Sequence, residues 1–161
     1  MYMAGIDPTE VSTTATHGLG EIVFSTTAAG TKGYIYIQSA AGITDDGYIC
    51  NINGTTFTAT LNSTASSAAG TGQGRMCGVA RAAIPTSSYG WLQIYGNGTV
   101  RVLASCAAYT QLNTTATAGA ADDDATAASR VVDGININIT NGGSTANIAG
   151  FLNWPRVGRT L

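Results

Sequence analysis

Apolar side chains fall at every second position over much of this chain. Ile135, Ile137 and Ile139 alternate with Asn136 and Asn138, and residues 33–38, 48–52, 56–61, 91–95, 99–103 and 146–152 are short apolar or alternating runs. A period of two sends one set of side chains to a core and the other to solvent, which predicts β-strands. Further strands are expected at 20–24 and 76–80. Three Asn-Gly pairs, Asn53-Gly54, Asn97-Gly98 and Asn141-Gly142, stand between these runs. Both residue types accept positive φ at little cost, so each pair predicts a tight primed turn joining two antiparallel strands. The expected fold is all-β: a compact antiparallel β-barrel or β-sandwich built from hairpins, with an extended N-terminal arm.

The weakly patterned segments set the boundaries. Residues 1–18 contain Asp7-Pro8, a Thr-rich run and little apolar periodicity. They are expected to form an extended arm, disordered in the free chain, whose Tyr2, Met3, Ile6 and Val11 fill small pockets on a neighbour. Residues 19–155 are expected to form a single β-domain, which suits a chain of 161 residues. Between Leu61 and Arg75 no large apolar residue occurs, which predicts a mobile loop. Residues 114–129 predict a loop with a short helical turn near 124–129. Pro155 lacks a ladder donor, so the last strand is expected to end near Trp154 and leave 156–161 as a C-terminal tail carrying Arg156 and Arg159.

Composition narrows the function. Ala, Thr and Gly supply 70 of the 161 residues, and only 10% are charged, against about 25% in ordinary globular chains. Such a surface has little electrostatic defence against association and suits close packing against partners and against copies of itself. The net charge is −2, so no basic field attracts phosphate backbones, and nucleic acid is not an expected partner. No apolar run reaches the ~18 residues of a membrane helix and no secretory pattern is visible, so neither a membrane contact nor a signal peptide is expected.

Catalytic chemistry finds few candidates. The single histidine, His17, lies in the arm, where it is poorly placed to serve a nucleophile as base. The acids cluster at Asp45-Asp46 and Asp122-Asp123-Asp124, which reads as turn and loop chemistry; the latter lacks the alternating spacing of a calcium loop. Gly70, Gly72 and Gly74 imitate a phosphate-cradling loop without the following helix. Cys50, Cys77 and Cys106, odd in number and set among apolar or small residues, are expected as buried free thiols. No catalytic residue, metal site or cofactor is expected. Tyr34 and Tyr36 share one strand face, while Trp91, Gln93 and Tyr95 lie on one face of another strand, with Leu92 and Ile94 opposite. These aromatics are either half-buried core or an interface and sugar-stacking platform.

Two stretches, Gly33 to Thr44 (GYIYIQSAAGIT) and Cys77 to Gly96 (CGVARAAIPTSSYGWLQIYG), resemble the small decoration or cement proteins of tailed-bacteriophage heads and similar short virion structural proteins. The resemblance runs over most of residues 19–154. It implies a non-catalytic β-module that attaches to the major capsid protein on the outside of the head and stiffens it, as a trimer more often than a dimer. Tyr2, Met3, Ile6, Val11, Tyr34, Tyr36, Trp91 and Tyr95 are then the candidate capsid or subunit interface. A tail-associated or host-glycan-recognition protein of the virion is the alternative.

Overall fold

The computed structural model describes residues 5–161; the expectations for Tyr2 and Met3 lie outside the described residues. The fold is all-β, with no helix among the described residues. Eleven strands join in one mixed sheet that folds over itself into a sandwich-like stack, neither a regular barrel nor purely antiparallel. β3 (Gly30–Ser39) runs parallel to β5 (Thr58–Leu61), and β7 (Tyr89–Val102) runs parallel to β9 (Ala121–Asp122).

The longest strand organises the rest. The N-terminal half of β7 pairs with β3, Tyr36 facing Trp91, and with β6 (Met76–Ala80). Its C-terminal half pairs with β11 (Ala146–Thr160), from Tyr95↔Asn153 to Val102↔Ala146. Between the halves the ladder shifts, and Gly96 sits at φ +91°, a conformation costly for any residue with a Cβ. Gln93, fully buried, fills this kink by donating from Nε2 to the carbonyls of Tyr95, Gly96 and Asn97 at 3.0, 3.2 and 3.0 Å.

Alternation then sorts side chains into three cores. On β3, Ile35 and Ile37 enter one apolar cluster with Leu92, Ile94, Ile52 and Ile84, whereas Tyr34 and Tyr36 point the other way, against Trp91 and Val23. Ile94 is fully buried, as its place opposite Trp91 in the alternation requires. β4 (Ile49–Ile52) and β6 are buried on both faces. Cys50 and Ile52 face the cluster around Leu92, while Ile49, Cys77 and Val79 face a third core with Val100, Leu112, Val132, Ile137 and Leu152. These two strands form the partition between two cores.

The Asn-Gly pairs behave differently from their expectation. None of the six residues adopts positive φ. Asn53-Gly54 does join a hairpin, β4 to β5, but through a five-residue loop in which Asn53 Oδ1 accepts from the Thr55 and Thr56 amides and Phe57 takes the left-handed conformation. Asn97-Gly98 is no turn at all; it lies inside β7, opposite Phe151 and Gly150. Asn141 lies between β10 (Arg130–Ile137) and β11, where its buried amide donates to the carbonyls of Leu103 and Ser144 and so ties that loop to the end of β7.

Three further expectations are corrected. β11 does not stop at Trp154, and residues 156–161 are not a free tail: Arg156, Val157 and Thr160 pair with Asp133, Val132 and Arg130 of β10. Pro155 is accommodated by a bulge, residues 153–155 facing Gly134 alone, where the missing donor costs no ladder bond. Gly134, at φ +77°, is required there, since a Cβ would come 2.6 Å from the Asn153 carbonyl oxygen. Residues 62–74 are not a loose loop. Asn51 and Asn62 sit buried above Cys77 and bond each other (Nδ2 to Oδ1, 2.7 Å), Ser67 Oγ and Ser66, and the Gly74 amide donates to Val157. Polar groups replace apolar ones in fixing this segment, because both Asn side-chain amides donate to partners within it or beside it, although Asn62 Oδ1 is left without one. Residues 124–129 form turns without a helix, and Ala128 lies at φ 67°.

Candidate functional site

The described part of the arm is bound to its own domain. β1 (Val11–Ser12) pairs with Gly90 and Tyr89 of β7. His17 packs edge-on against Tyr36 and Trp91, with ring centroids 5.1 and 4.9 Å away. Its Nε2 lies 3.6 Å from Glu10 and its Nδ1 3.6 Å from Glu21, so a carboxylate stands at each end of the ring. The Thr16 amide and hydroxyl both reach the Tyr36 phenol, at 3.2 and 3.0 Å, and the hydroxyl also donates to Glu10. Ile6 packs at the rim. These contacts hold the described residues of the arm in place without a neighbour, which corrects the expectation of a free arm.

The same contacts correct the assignment of Tyr34, Tyr36 and Trp91 as an interface. Their exposures are 4%, 1% and 1%, because the arm packs over this face of the β3–β7 pair and Val23 of the adjoining strand β2 (Ile22–Thr27) packs beside them. Burial pushes the Tyr34 phenol above its usual range. Ile6 is half-buried and Val11 is 38% exposed, on the short edge strand β1.

Trp91 is buried, whereas the other two β7 aromatics, Tyr89 and Tyr95, are partly exposed, and Tyr95 stands in company. Beyond the β7 kink its ring meets Phe24 of β2 (centroids 6.4 Å apart) and Phe151 of β11 (5.6 Å), and Phe24 in turn meets Trp154 (6.2 Å). Phe24 and Trp154 are 37% and 43% exposed, and Ile22, two residues before Phe24, is 41% exposed. Gly33 makes room for Phe24, since a Cβ there would lie 2.8 Å from its ring. Trp154 projects from the β11 bulge at φ 51°. The result is an aromatic band across β2, β7 and β11. Sequence inspection missed Phe24, Phe151 and Trp154, although the i, i+2 spacing of Ile22 and Phe24 on a strand was visible.

A second feature is polar. An open groove of about 980 Å³ is bordered by Gln73, Gln111, Asn113, Asp123, Asp133 and Arg156. Arg156 Nε stands 3.9 Å from Asp133 Oδ2, an exposed pair of little energetic weight. Nearby, the Cys106 sulfur and the Asp122 and Asp123 carboxylates lie within 4.8 Å of one another. Burial first, and then the charge of Asp123, pushes the Cys106 thiol up to about 12, and burial raises the Asp122 carboxyl. A thiol held protonated is a poor nucleophile and a poor metal ligand. Cys50 and Cys77 are likewise free and buried, the Cys77 thiol pushed up to about 12 by burial and donating to Asn51 Oδ1 at 3.4 Å.

No protein-family model matches the chain, and a search of curated proteins finds no relative.

Proposed function

We propose that this chain is a non-enzymatic structural protein of a phage virion, binding the major capsid protein on the outer face of the head, self-associating there and stabilising the shell. The aromatic band of Phe24, Tyr95, Phe151 and Trp154 carries the reading. A contiguous apolar patch on so charge-poor a surface is an association site before it is anything else. The resemblance of residues 33–44 and 77–96 to head decoration proteins supplies the kind of partner. The described part of the arm is not the clamp, because it is occupied in its own chain.

Quantitative mass spectrometry of purified virions tests the proposal. A copy number comparable to that of the major capsid protein is expected; a handful of copies per particle would place the chain on the tail and overturn it. Host-glycan recognition is the second reading, favoured by the exposed Trp154 ring beside Phe24 and Tyr95, a surface on which a sugar face can stack. Glycan binding by the isolated chain, abolished by Trp154→Ala, would select it.

A further inference from the structure

The strand order ends at β2, which among the described residues pairs with β3 alone. Its six residues, Ile22 to Thr27, run in unbroken register with β3 from Ile35 to Gly30. A two-residue loop closes on Thr27 and Gly30, so Val23, Ser25 and Thr27 direct their peptide groups to β3. Those of Ile22, Phe24 and Thr26 therefore face outward. Sheet edges in soluble proteins are normally blunted by a charge, a proline, a bulge or extreme shortness. β2 has none of these within its span, and beside it lie the exposed side chains of Ile22, Phe24 and Trp154.

We infer that β2 is the docking edge for a second copy of this chain, two β2 strands pairing antiparallel about a twofold axis with Phe24 opposite Phe24. The ligand that satisfies a row of outward amides and carbonyls is an extended strand. In this register Ile22 of one copy exchanges hydrogen bonds with Thr26 of the other, and all three outward residues of each copy are satisfied. No like charges meet: the nearest charged residue, Glu21, falls opposite Thr27 and already faces His17. Extending the sheet this way also makes the two aromatic bands continuous across the axis. The inference gives the self-association in the proposed function a surface and a symmetry, and rests on that reading for its biological setting. A twofold strand pair makes a dimer, the less common of the two oligomers that the resemblance implies.

Sedimentation equilibrium and NMR-detected amide exchange on the full chain test it. The wild type is expected to be a dimer in which the amides of Ile22, Phe24 and Thr26 are protected, and Thr26→Lys a folded monomer in which they exchange freely. Ile22→Lys serves as a second edge variant if the first does not fold. A wild-type monomer at all accessible concentrations, a trimer, or a dimer with those three amides unprotected would overturn the assignment. Co-sedimentation with undecorated heads is scored separately. A chain that dimerises through β2 but does not co-sediment overturns the virion reading and supports the edge assignment; a monomer that co-sediments does the reverse.

Discussion

Replacing His17 by alanine tests how the arm is held. The ring makes edge-on contacts with Tyr36 and Trp91 at 5.1 and 4.9 Å and is flanked by Glu10 and Glu21. Aromatic pairs of this geometry contribute about 0.5–1.5 kcal/mol each beyond the area that they bury, so two of them give about 1–3 kcal/mol. The other attachments remain in the variant: the Thr16 hydrogen bonds to the Tyr36 phenol and the two-residue β1 ladder. The loss should therefore fall on arm docking, while the β-domain keeps its cores. At about 1.4 kcal/mol per factor of ten, arm opening should become roughly 5- to 150-fold more frequent. Exchange of the amides of residues 10–18 reads this directly. In a Trp154→Phe background, the emission of Trp91 should also shift to the red as its covered face meets water. Unchanged exchange in residues 10–18, or a fall in global stability with no selective loss in the arm, would refute the reasoning.

Ile94→Ala should destabilise the domain by about 2–5 kcal/mol, seen as a lower urea midpoint with an unchanged slope, because Ile94 is fully buried among Ile35, Ile37 and Leu92. Gly134→Ala should cost at least the ~1–2 kcal/mol of a left-handed L-residue, since its Cβ would also press on the Asn153 carbonyl and on Pro155; a melting temperature equal to wild type would show that the bulge relaxes freely. The thiols of Cys77 and Cys106, raised from an ordinary 9.0 to about 12, favour the folded state while protonated. Their contribution is thus complete below pH 9 and lost as pH rises from 9 towards 12, so denaturation midpoints should fall over that interval and fall less in Cys77→Ala; in native buffer, Ellman's reagent should leave all three buried cysteines unmodified until denaturant is added.

What could be read from the residues was the part governed by neighbours one and two positions away. Tyr34-Ile35-Tyr36-Ile37 and Trp91-Leu92-Gln93-Ile94 sort to opposite faces as a period of two requires, and the all-β class follows from many such runs. Which surfaces are covered is a different kind of question. Tyr36 and Trp91 looked available because nothing in their own strands covers them; an arm some 19 and 74 residues away, through His17, does. Local propensity also misled where tertiary pairing was stronger. Asn97-Gly98 has the chemistry of a turn, yet eight consecutive pairings with β11 hold it extended. Pro155 should end a strand, yet the bulge opposite Gly134 absorbs it. Residues 62–74 lack apolar anchors, yet the Asn51–Asn62–Ser67 hydrogen bonds order them, because buried amides bring partners together as firmly as methyl groups do once water is excluded. The sequence by itself determined the all-β class and the inward faces of the alternating runs, since these depend on backbone geometry and side-chain alternation. Only the tertiary structure decided that the conspicuous aromatics are interior and that Phe24, Tyr95, Phe151 and Trp154, from three strands far apart in the chain, share the surface, because burial and adjacency depend on which distant segments pair.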